Sequence, residues 1–289
     1  MSAAAKLLAR LAFLAGALYL LLNAVDLPAL KQALSRASPL WLGVALILFN
    51  ASQVLSAGRL QVLLHPVGAV PRYLEQLRLY YAGMFCNLYL PGGIGGDGLK
   101  AYWLKRRFGV GLGSLIRALL LDRASGLAAL LALACLLGTV WSGAWYWLLL
   151  GLGGLLVYPA LADRLFPRFR GTAPRALALS LGIQGLQGGS AWALMQALDL
   201  DGVIYLLLFF LSGIAALAPV TVGGLGAREL IYLYGLSWTG HPPGGGIALG
   251  LFFFAITGLS SLAGWPQTGR FLRTHKAGES DAAARGGTP

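Results

Sequence analysis

Long apolar runs separated by short polar segments dominate this 289-residue chain. A bilayer core of about 30 Å needs roughly 20 consecutive apolar residues for one helical crossing. Six runs approach or meet that length and predict full membrane spans, at residues 7–25, 39–57, 114–139, 143–161, 175–198 and 245–264. The pattern therefore predicts an all-α, polytopic helical membrane protein.

Two further apolar segments, 79–107 and 203–238, are interrupted in the middle by proline, glycine and charged residues. Lysine and arginine flank the first segment on both sides, whereas the immediate flanks of the second contain neither. Basic residues mark cytoplasmic loops. Each segment is therefore predicted to be a re-entrant hairpin, the first entering from the cytoplasm and the second from outside, with both termini of the chain cytoplasmic.

The two interruptions match each other in sequence. The stretch PGGIGGDGLK (91–100) aligns without gaps on PVTVGGLGAR (219–228), and both fit P-x-x-[IV]-G-G-x-G-x-[KR]. We call this alignment, which pairs Pro91 with Pro219, the repeat register. Three predicted spans separate the hairpins, and an odd number inverts the second copy. Inverted halves with broken hydrophobic segments at corresponding places are typical of secondary transporters.

The repeat gives the predicted domain organisation. We predict a single transmembrane domain made of two halves, with a disordered tail after it. The predicted boundaries are 1–276 for the domain, about 1–139 for half A, about 140–270 for half B and 277–289 for the tail.

Composition excludes several classes of function. Charged residues make up 11% of the chain, against about 25% in soluble domains. The net charge of +12 lies in short clusters between apolar runs, which is typical of topology signals and lipid-headgroup contact rather than nucleic-acid binding. Cys86 and Cys135 lie in apolar surroundings and the three histidines are scattered. No disulfide, metal site or cofactor is expected.

The first interruption also contains G-x-G-x-x-G, at Gly93, Gly95 and Gly98, as in dinucleotide-binding loops. That motif needs a strand before it and a parallel sheet around it, whereas a membrane segment precedes it here. We interpret the glycines as a backbone turn at membrane depth, where irregular backbone is tolerated only inside protein or beside water. The predicted turn residues of both copies are Pro91, Gly95, Gly96, Gly98, Pro219, Gly223, Gly224 and Gly226.

Charged side chains inside the membrane segments are the candidates for function, because each costs roughly 2.5–3.5 kcal/mol at a helix centre. As a functional site, the cations would bind a lipid phosphate through charge-assisted hydrogen bonds and the carboxylates would balance them. As a structural alternative, the charges would pair to lock helices together, and both interpretations stay open. The candidates are Asp97, Lys100, Asp122, Arg123, Arg228 and Glu229.

Three related expectations complete the predicted site. Asn87 is a further candidate ligand, although we favour a role in satisfying the broken backbone of the hairpin. The two glycine-rich turns are expected to meet near the bilayer midplane, so that Lys100 and Arg228 share one pocket. Arg59, in contrast, is interpreted as part of the cytoplasmic basic flank of the first hairpin.

Three stretches carry a family resemblance: CNLYLPGGIGGDGLKAYWLKRR (86–107), LLLDRASGL (119–127) and APVTVGGLGARE (218–229). They resemble the transmembrane family named after lysylphosphatidylglycerol synthase, the flippase-like membrane part of the bacterial multiple peptide resistance factor, which also occurs as stand-alone proteins. The resemblance implies a multi-pass protein of the bacterial inner membrane that moves or handles lipid. The full resistance factor adds a soluble aminoacyl-transferase domain. This chain ends shortly after its last predicted span, so we expect no enzyme activity.

These observations together predict a flippase that moves a phosphate-bearing lipid or lipid carrier across the inner membrane by alternating access. Its partners would be membrane lipids with anionic or zwitterionic headgroups, and a homo-oligomer is compatible with the sequence. Three alternatives remain: a small-solute or ion transporter of the same architecture, an intramembrane lipid-modifying enzyme, and a non-transporting membrane scaffold, which would leave the six intramembrane charges unexplained. The enzyme would need a nucleophile or metal cluster, which the scattered histidines and carboxylates do not supply.

Overall fold

The computed structural model describes residues 35, 37–89, 95–217 and 224–271. The predicted first span (7–25) and the tail (277–289) lie outside the described residues. The same holds for the predicted turn residues Pro91, Pro219 and Gly223.

Nine α-helices make up the described part of the chain, joined by short turns and loops. They confirm the prediction of an all-α polytopic membrane protein, and four of them are long and apolar enough to cross a membrane: α1, α4, α5 and α9, the last together with the short turn and the helical residues that follow it to Phe271. The helices are α1 Pro39–Leu64, α2 Tyr73–Tyr89, α3 Gly95–Phe108, α4 Leu112–Ser142, α5 Tyr146–Leu165, α6 Ala173–Ala197, α7 Val203–Ala215, α8 Ala227–Trp238 and α9 Pro243–Ser261.

Helix α6 has the length of the predicted span 175–198 but is less apolar than the four spans above. Its 25 residues would reach about 37 Å at 1.5 Å per residue. Its position explains its composition, because it packs along α1 and against α4 and buries Ser180, Gln184 and Ser190. A helix that meets protein on these sides can use polar side chains for hydrogen bonds to neighbouring helices.

Each interrupted segment folds as a pair of helices packed against each other, α2 with α3 and α7 with α8. Helix α8 begins directly after Gly226, whereas α3 already begins at Gly95, so Gly95, Gly96 and Gly98 lie in the first turn of a helix and not in the turn predicted before it. Each of the two helices carries an acidic residue in its first turn, Asp97 in α3 and Glu229 in α8. Both interrupted segments are therefore pairs of packed helices, and their re-entrant course through the membrane stays a prediction. The membrane face from which each hairpin enters stays a prediction.

The order of helices repeats along the chain. Helices α6, α7, α8 and α9 begin close to the positions that the repeat register assigns to the starts of α1, α2, α3 and α4. The packing contacts also correspond between the halves. The first helix of each hairpin packs against the last helix of the other half, so that α2 contacts α9 and α7 contacts α4. Both halves therefore share one architecture.

The counterparts α1 and α6 run antiparallel. At one end the backbone N–H of Ser38 donates to the carbonyl of Ala197 (3.1 Å). Near the other end Arg59 Nη1 donates to Ser180 Oγ (2.9 Å). Two equivalent helices with opposite directions require that one half is inverted relative to the other, as the repeat motif predicted.

Two of the side-chain hydrogen bonds between α1 and α6 are related to each other by the repeat. Gln187 Nε2 donates to Ser52 Oγ (3.4 Å), and Arg59 donates to Ser180 as above. In the repeat register, Ser52 corresponds to Ser180 and Arg59 corresponds to Gln187. Each bond is therefore the counterpart of the other, and the approximate twofold axis passes between these two helices.

The inverted topology predicts opposite locations for two exposed positions. We expect a cysteine at Ser237, in the last turn of α8, to be labelled by an impermeant thiol reagent from outside the cell. A cysteine at Arg170, between α5 and α6, should be labelled only from the cytoplasmic side. Both positions are exposed, and the two buried native cysteines, Cys86 and Cys135, would be replaced in the background. Labelling of both positions from one side would contradict the arrangement.

Candidate functional site

Five charged side chains gather where the first hairpin meets α1 and α4, and we call them the charge cluster: Arg59, Asp97, Lys100, Asp122 and Arg123. Four of these are among the six charged residues that the sequence analysis singled out. Three cations and two carboxylates leave the cluster with one excess positive charge. Helix packing rather than chain proximity brings them together, because they come from α1, α3 and α4.

Arg59 and Asp122 form the buried part of the cluster. Arg59 Nε donates to Asp122 Oδ1 (2.8 Å) and Nη2 to Oδ2 (3.1 Å), which is a bidentate pair. The remaining amino group of Arg59 bonds Ser180, so one guanidinium joins α1, α4 and α6. For Asp122 this geometry favours the structural interpretation, a lock between helices.

The assignment of Arg59 to a cytoplasmic flank was wrong. Helix α1 continues to Leu64, beyond the predicted end of the span at residue 57, so Arg59 lies inside the helix and is buried. A signal for its role existed in the sequence. Ser52, Ser56 and Arg59 recur every three to four residues, which places them on one face of α1, and a buried Asp122 requires a cation nearby.

Asp97, Lys100 and Arg123 form the outer part of the cluster. Arg123 contacts Asp97 Oδ2 through Nε (2.7 Å) and Nη2 (2.6 Å). Lys100 Nζ lies 3.5 Å from Asp97 Oδ1 and 4.1 Å from the centre of the Tyr80 ring. Lys100 is buried between the two helices of the hairpin, so Asp97 connects a buried cation to one that faces outward.

The outer part of the cluster is open at membrane depth. The Arg123 side chain is 43% exposed, although it lies well inside the 31-residue helix α4, about 16 Å from its start. On the same face of α4, Leu120 is 53% exposed and Leu131 is 47% exposed. An arginine therefore emerges among apolar side chains that are placed to meet lipid.

The start of α3 is held against α2 by close backbone contacts. Asn87 Oδ1 accepts the backbone N–H of Gly96 (2.9 Å), which is the structural role we favoured for Asn87. The backbone of Gly96 lies directly against the carbonyl of Gly83 in α2, and Gly95 lies against the carbonyl of Cys86. A side chain at Gly96 would overlap this backbone and push the two helices apart, whereas a Cβ atom at Gly95 would only crowd the Cys86 carbonyl (3.3 Å).

Arg228 lies apart from the charge cluster. Its Nη1 donates to Ser212 Oγ (3.3 Å), and its guanidinium carbon lies 5.5 Å and 5.0 Å from the ring centres of Phe209 and Phe253. The structure does not give Lys100 and Arg228 the shared pocket we expected. Each cation is held within its own half, by an aromatic ring from the first helix of its own hairpin.

Glu229 is fully buried beside Arg228 and caps the helix that carries both. Its Oε2 accepts the backbone N–H of Gly226 (2.7 Å), and Gly224 and Gly226 both have positive φ, at 87° and 85°. Glycine occupies this left-handed region without a steric penalty, which explains two of the predicted turn glycines. The other oxygen, Oε1, has no hydrogen-bond partner among the described residues.

The two halves carry a cation at corresponding positions, but the residues around that cation differ. Lys100 and Arg228 correspond in the repeat register. Asp97, which pairs with Lys100, corresponds to Leu225. Asp122 corresponds to Gly250, the residue that faces Glu229 Oε1. Neither acid of the charge cluster therefore has an acidic counterpart in the second half, where the buried acid among the described residues, Glu229, comes from α8 itself.

The described residues form no group of three or more histidine, cysteine, aspartate or glutamate side chains that could hold a metal ion. What they define is an all-helical polytopic membrane protein, built as an inverted repeat around membrane-embedded charges. The chain belongs to the family described as "Lysylphosphatidylglycerol synthase TM region", whose model matches residues 7–264. No curated protein matches the chain. The family places the protein among membrane proteins with lipid-related functions.

Proposed function

We propose that the protein is a flippase of the bacterial inner membrane that moves a phosphate-bearing lipid or lipid carrier between leaflets without changing it chemically. The observation that carries the proposal is the Arg123–Asp97 pair, which is exposed at membrane depth among lipid-facing leucines. The family membership supports a substrate that is a lipid. Both termini would be cytoplasmic, as the basic flanks predict.

The surroundings of Arg123 favour a substrate that arrives from the bilayer. A charge facing hydrocarbon is costly, so this face of α4 needs water or a polar headgroup at that depth. A lipid whose chains lie along Leu120 and Leu131 would bring its phosphate to Arg123. A guanidinium has five N–H donors, so it can hold Asp97 and a phosphate oxygen together. The excess positive charge of the cluster favours an anionic group.

The inverted repeat supports alternating access as the mechanism. Two halves with the same architecture and opposite orientation can exchange conformations, which exposes the site first to one leaflet and then to the other. The antiparallel contact between α1 and α6 lies at the approximate symmetry axis. Arg59, paired with Asp122, joins the first half to Ser180 of the second there, so the pair would hold the helices in register while the hairpins move.

Arg123→Gln tests the proposal in proteoliposomes that contain fluorescent phosphatidylglycerol, with leaflet exchange followed by dithionite quenching. We expect exchange to slow about 10- to 100-fold, since a hydrogen bond to a charged group contributes about 1.5–3 kcal/mol. Arg123→Lys should recover part of the rate. Arg117→Gln is the matched control, because Arg117 is exposed on the same helix but closer to its end.

Two results would count against the proposal. The first is an exchange rate in Arg123→Gln equal to that of the wild type. The second is an uptake of radiolabelled inorganic phosphate that depends on Arg123 in vesicles where the lipid does not exchange. The second result would identify a small-anion transporter of the same architecture.

A further inference from the structure

Glu229 stands out because the proposed lipid site does not use it and its surroundings leave it incompletely satisfied. The side chain is 0% exposed. Its Oε2 is bonded to Gly226, while Oε1 faces Gly250 of α9 and lacks a hydrogen-bond partner in the described part of the chain. A buried carboxyl oxygen without a partner carries a large desolvation cost when the group is ionised.

Arg228 is the cation beside Glu229, and its guanidinium forms no ion pair with the carboxyl group. Helix α8 packs against α7 and α9. Arg228 and Tyr232 are the charged and titratable residues near it on α8, Tyr205 is the titratable residue on α7, and α9 carries none. Arg228 is directed to Ser212 and the two phenylalanine rings instead of to Glu229. The Tyr232 hydroxyl donates to the backbone carbonyl of Tyr205 (3.3 Å).

We propose that Glu229 is a proton-binding site that couples lipid movement to proton movement. In the conformation described here, a proton on Oε1 removes the uncompensated charge. When the halves exchange conformations, water reaches Oε1, the proton leaves to that side, and the carboxylate is re-protonated from the other side. The position equivalent to Glu229 in the first half is Ala101, so the repeat carries this acid once and would move one proton per cycle.

Capping of α8 is the structural alternative, and one substitution separates it from proton binding. Glutamine at the third helical position also accepts the backbone N–H of the capping residue. Glu229→Gln therefore keeps the cap and removes the ionisable group. Glu75→Gln is the matched control, because Glu75 also lies in the first turn of a helix, α2, and is not fully buried.

The first experiment detects the proton directly and does not depend on transport. Difference infrared spectra of the purified protein in lipid nanodiscs, recorded between acid and alkaline pH, should contain the C=O stretch of a protonated carboxylic acid. Because the other Asp and Glu side chains absorb in the same region, we expect Glu229→Gln to remove one component of this pH-dependent band, and we expect Glu75→Gln to keep that component. A band that persists unchanged in Glu229→Gln overturns the assignment.

The second experiment tests coupling, and it rests on the proposed function. With one proton moved per lipid, a gradient of about one pH unit should shift the distribution of fluorescent phosphatidylglycerol between leaflets by up to about 10-fold. Glu229→Gln should abolish the shift and Glu75→Gln should keep it. If the wild type exchanges lipid but the distribution between leaflets does not depend on the pH gradient, the proposed coupling is wrong. If the wild type exchanges no lipid, the flippase proposal fails, while the infrared band still decides the proton site.

Discussion

Asp122→Asn is expected to lower the free energy of unfolding by about 3–5 kcal/mol, because it leaves the buried guanidinium of Arg59 without its counter-charge. Both ends of this pair are buried, and Arg59 is fixed further by Ser180. The loss should appear as a large drop in the thermal midpoint in detergent, followed by tryptophan fluorescence. Asp163→Asn is the control. Asp163 accepts one backbone N–H, from Gly171, near a surface loop, so its loss should change stability far less.

A double substitution distinguishes a lock from a binding site. Replacing a buried ion pair by apolar residues of similar volume is often neutral or stabilising. We therefore expect Arg59→Met combined with Asp122→Leu to recover most of the stability that Asp122→Asn loses. If the double variant also exchanges lipid at a near-normal rate, the pair is structural. If it is stable but inactive, Arg59 and Asp122 belong to the lipid site. An unchanged thermal midpoint in Asp122→Asn would contradict the lock.

The architecture was predictable because bilayer thickness imposes a simple length rule on apolar runs. Four of the five predicted spans within the described residues lie on helices long and apolar enough to cross a membrane, and the fifth, 175–198, lies on the less apolar α6. Glycine and proline marked the two segments that fold as helix pairs. The repeat was predictable because the two stretches that begin at Pro91 and Pro219 kept the same turn chemistry. The antiparallel arrangement of α1 and α6 agrees with the inversion that an odd number of intervening spans requires.

The pairing of charges was not predictable, because it depends on where each helix ends and how it is rotated. Arg59 was assigned to a loop since the predicted span stopped at residue 57, well before the end of α1 at Leu64. Lys100 and Arg228 were expected together since their motifs match, yet each is held by its own half. Sequence identifies charges that need a partner, whereas packing decides which partner each one has.

A substitution in the first turn of α3 is expected to have the second large effect on stability and lipid exchange, because this turn positions two members of the charge cluster. Gly96 directly precedes Asp97 and lies one helical turn before Lys100, and its backbone touches that of α2. A Cβ atom at Gly96 would overlap the carbonyl oxygen of Gly83 and crowd the Asn87 side chain. A backbone atom cannot rotate away as a side chain can, so the two helices would have to separate.

Gly96→Ala is therefore expected to lower stability by about 1–3 kcal/mol, the usual range for overpacking, and to slow lipid exchange about 100-fold, as displacements of roughly 1 Å do in other precisely positioned sites. Separation of α2 from α3 would weaken the Gly96–Asn87 hydrogen bond and move Asp97 and Lys100 away from Arg123. Thermal unfolding and the dithionite assay measure the two effects on the same preparation.

Gly98→Ala is the matched control, because Gly98 lies in the same turn of α3 and a Cβ there would meet open space. Alanine is the better helix former by about 1 kcal/mol, so this variant should be as stable as the wild type or more stable, and should exchange lipid normally. If the two alanine variants behave alike, close contact between α2 and α3 is not what positions Asp97 and Lys100. If Gly96→Ala alone loses exchange while keeping most of its stability, the hairpin turn acts on the site by positioning it, and the charge cluster depends on a contact that only glycine at residue 96 permits.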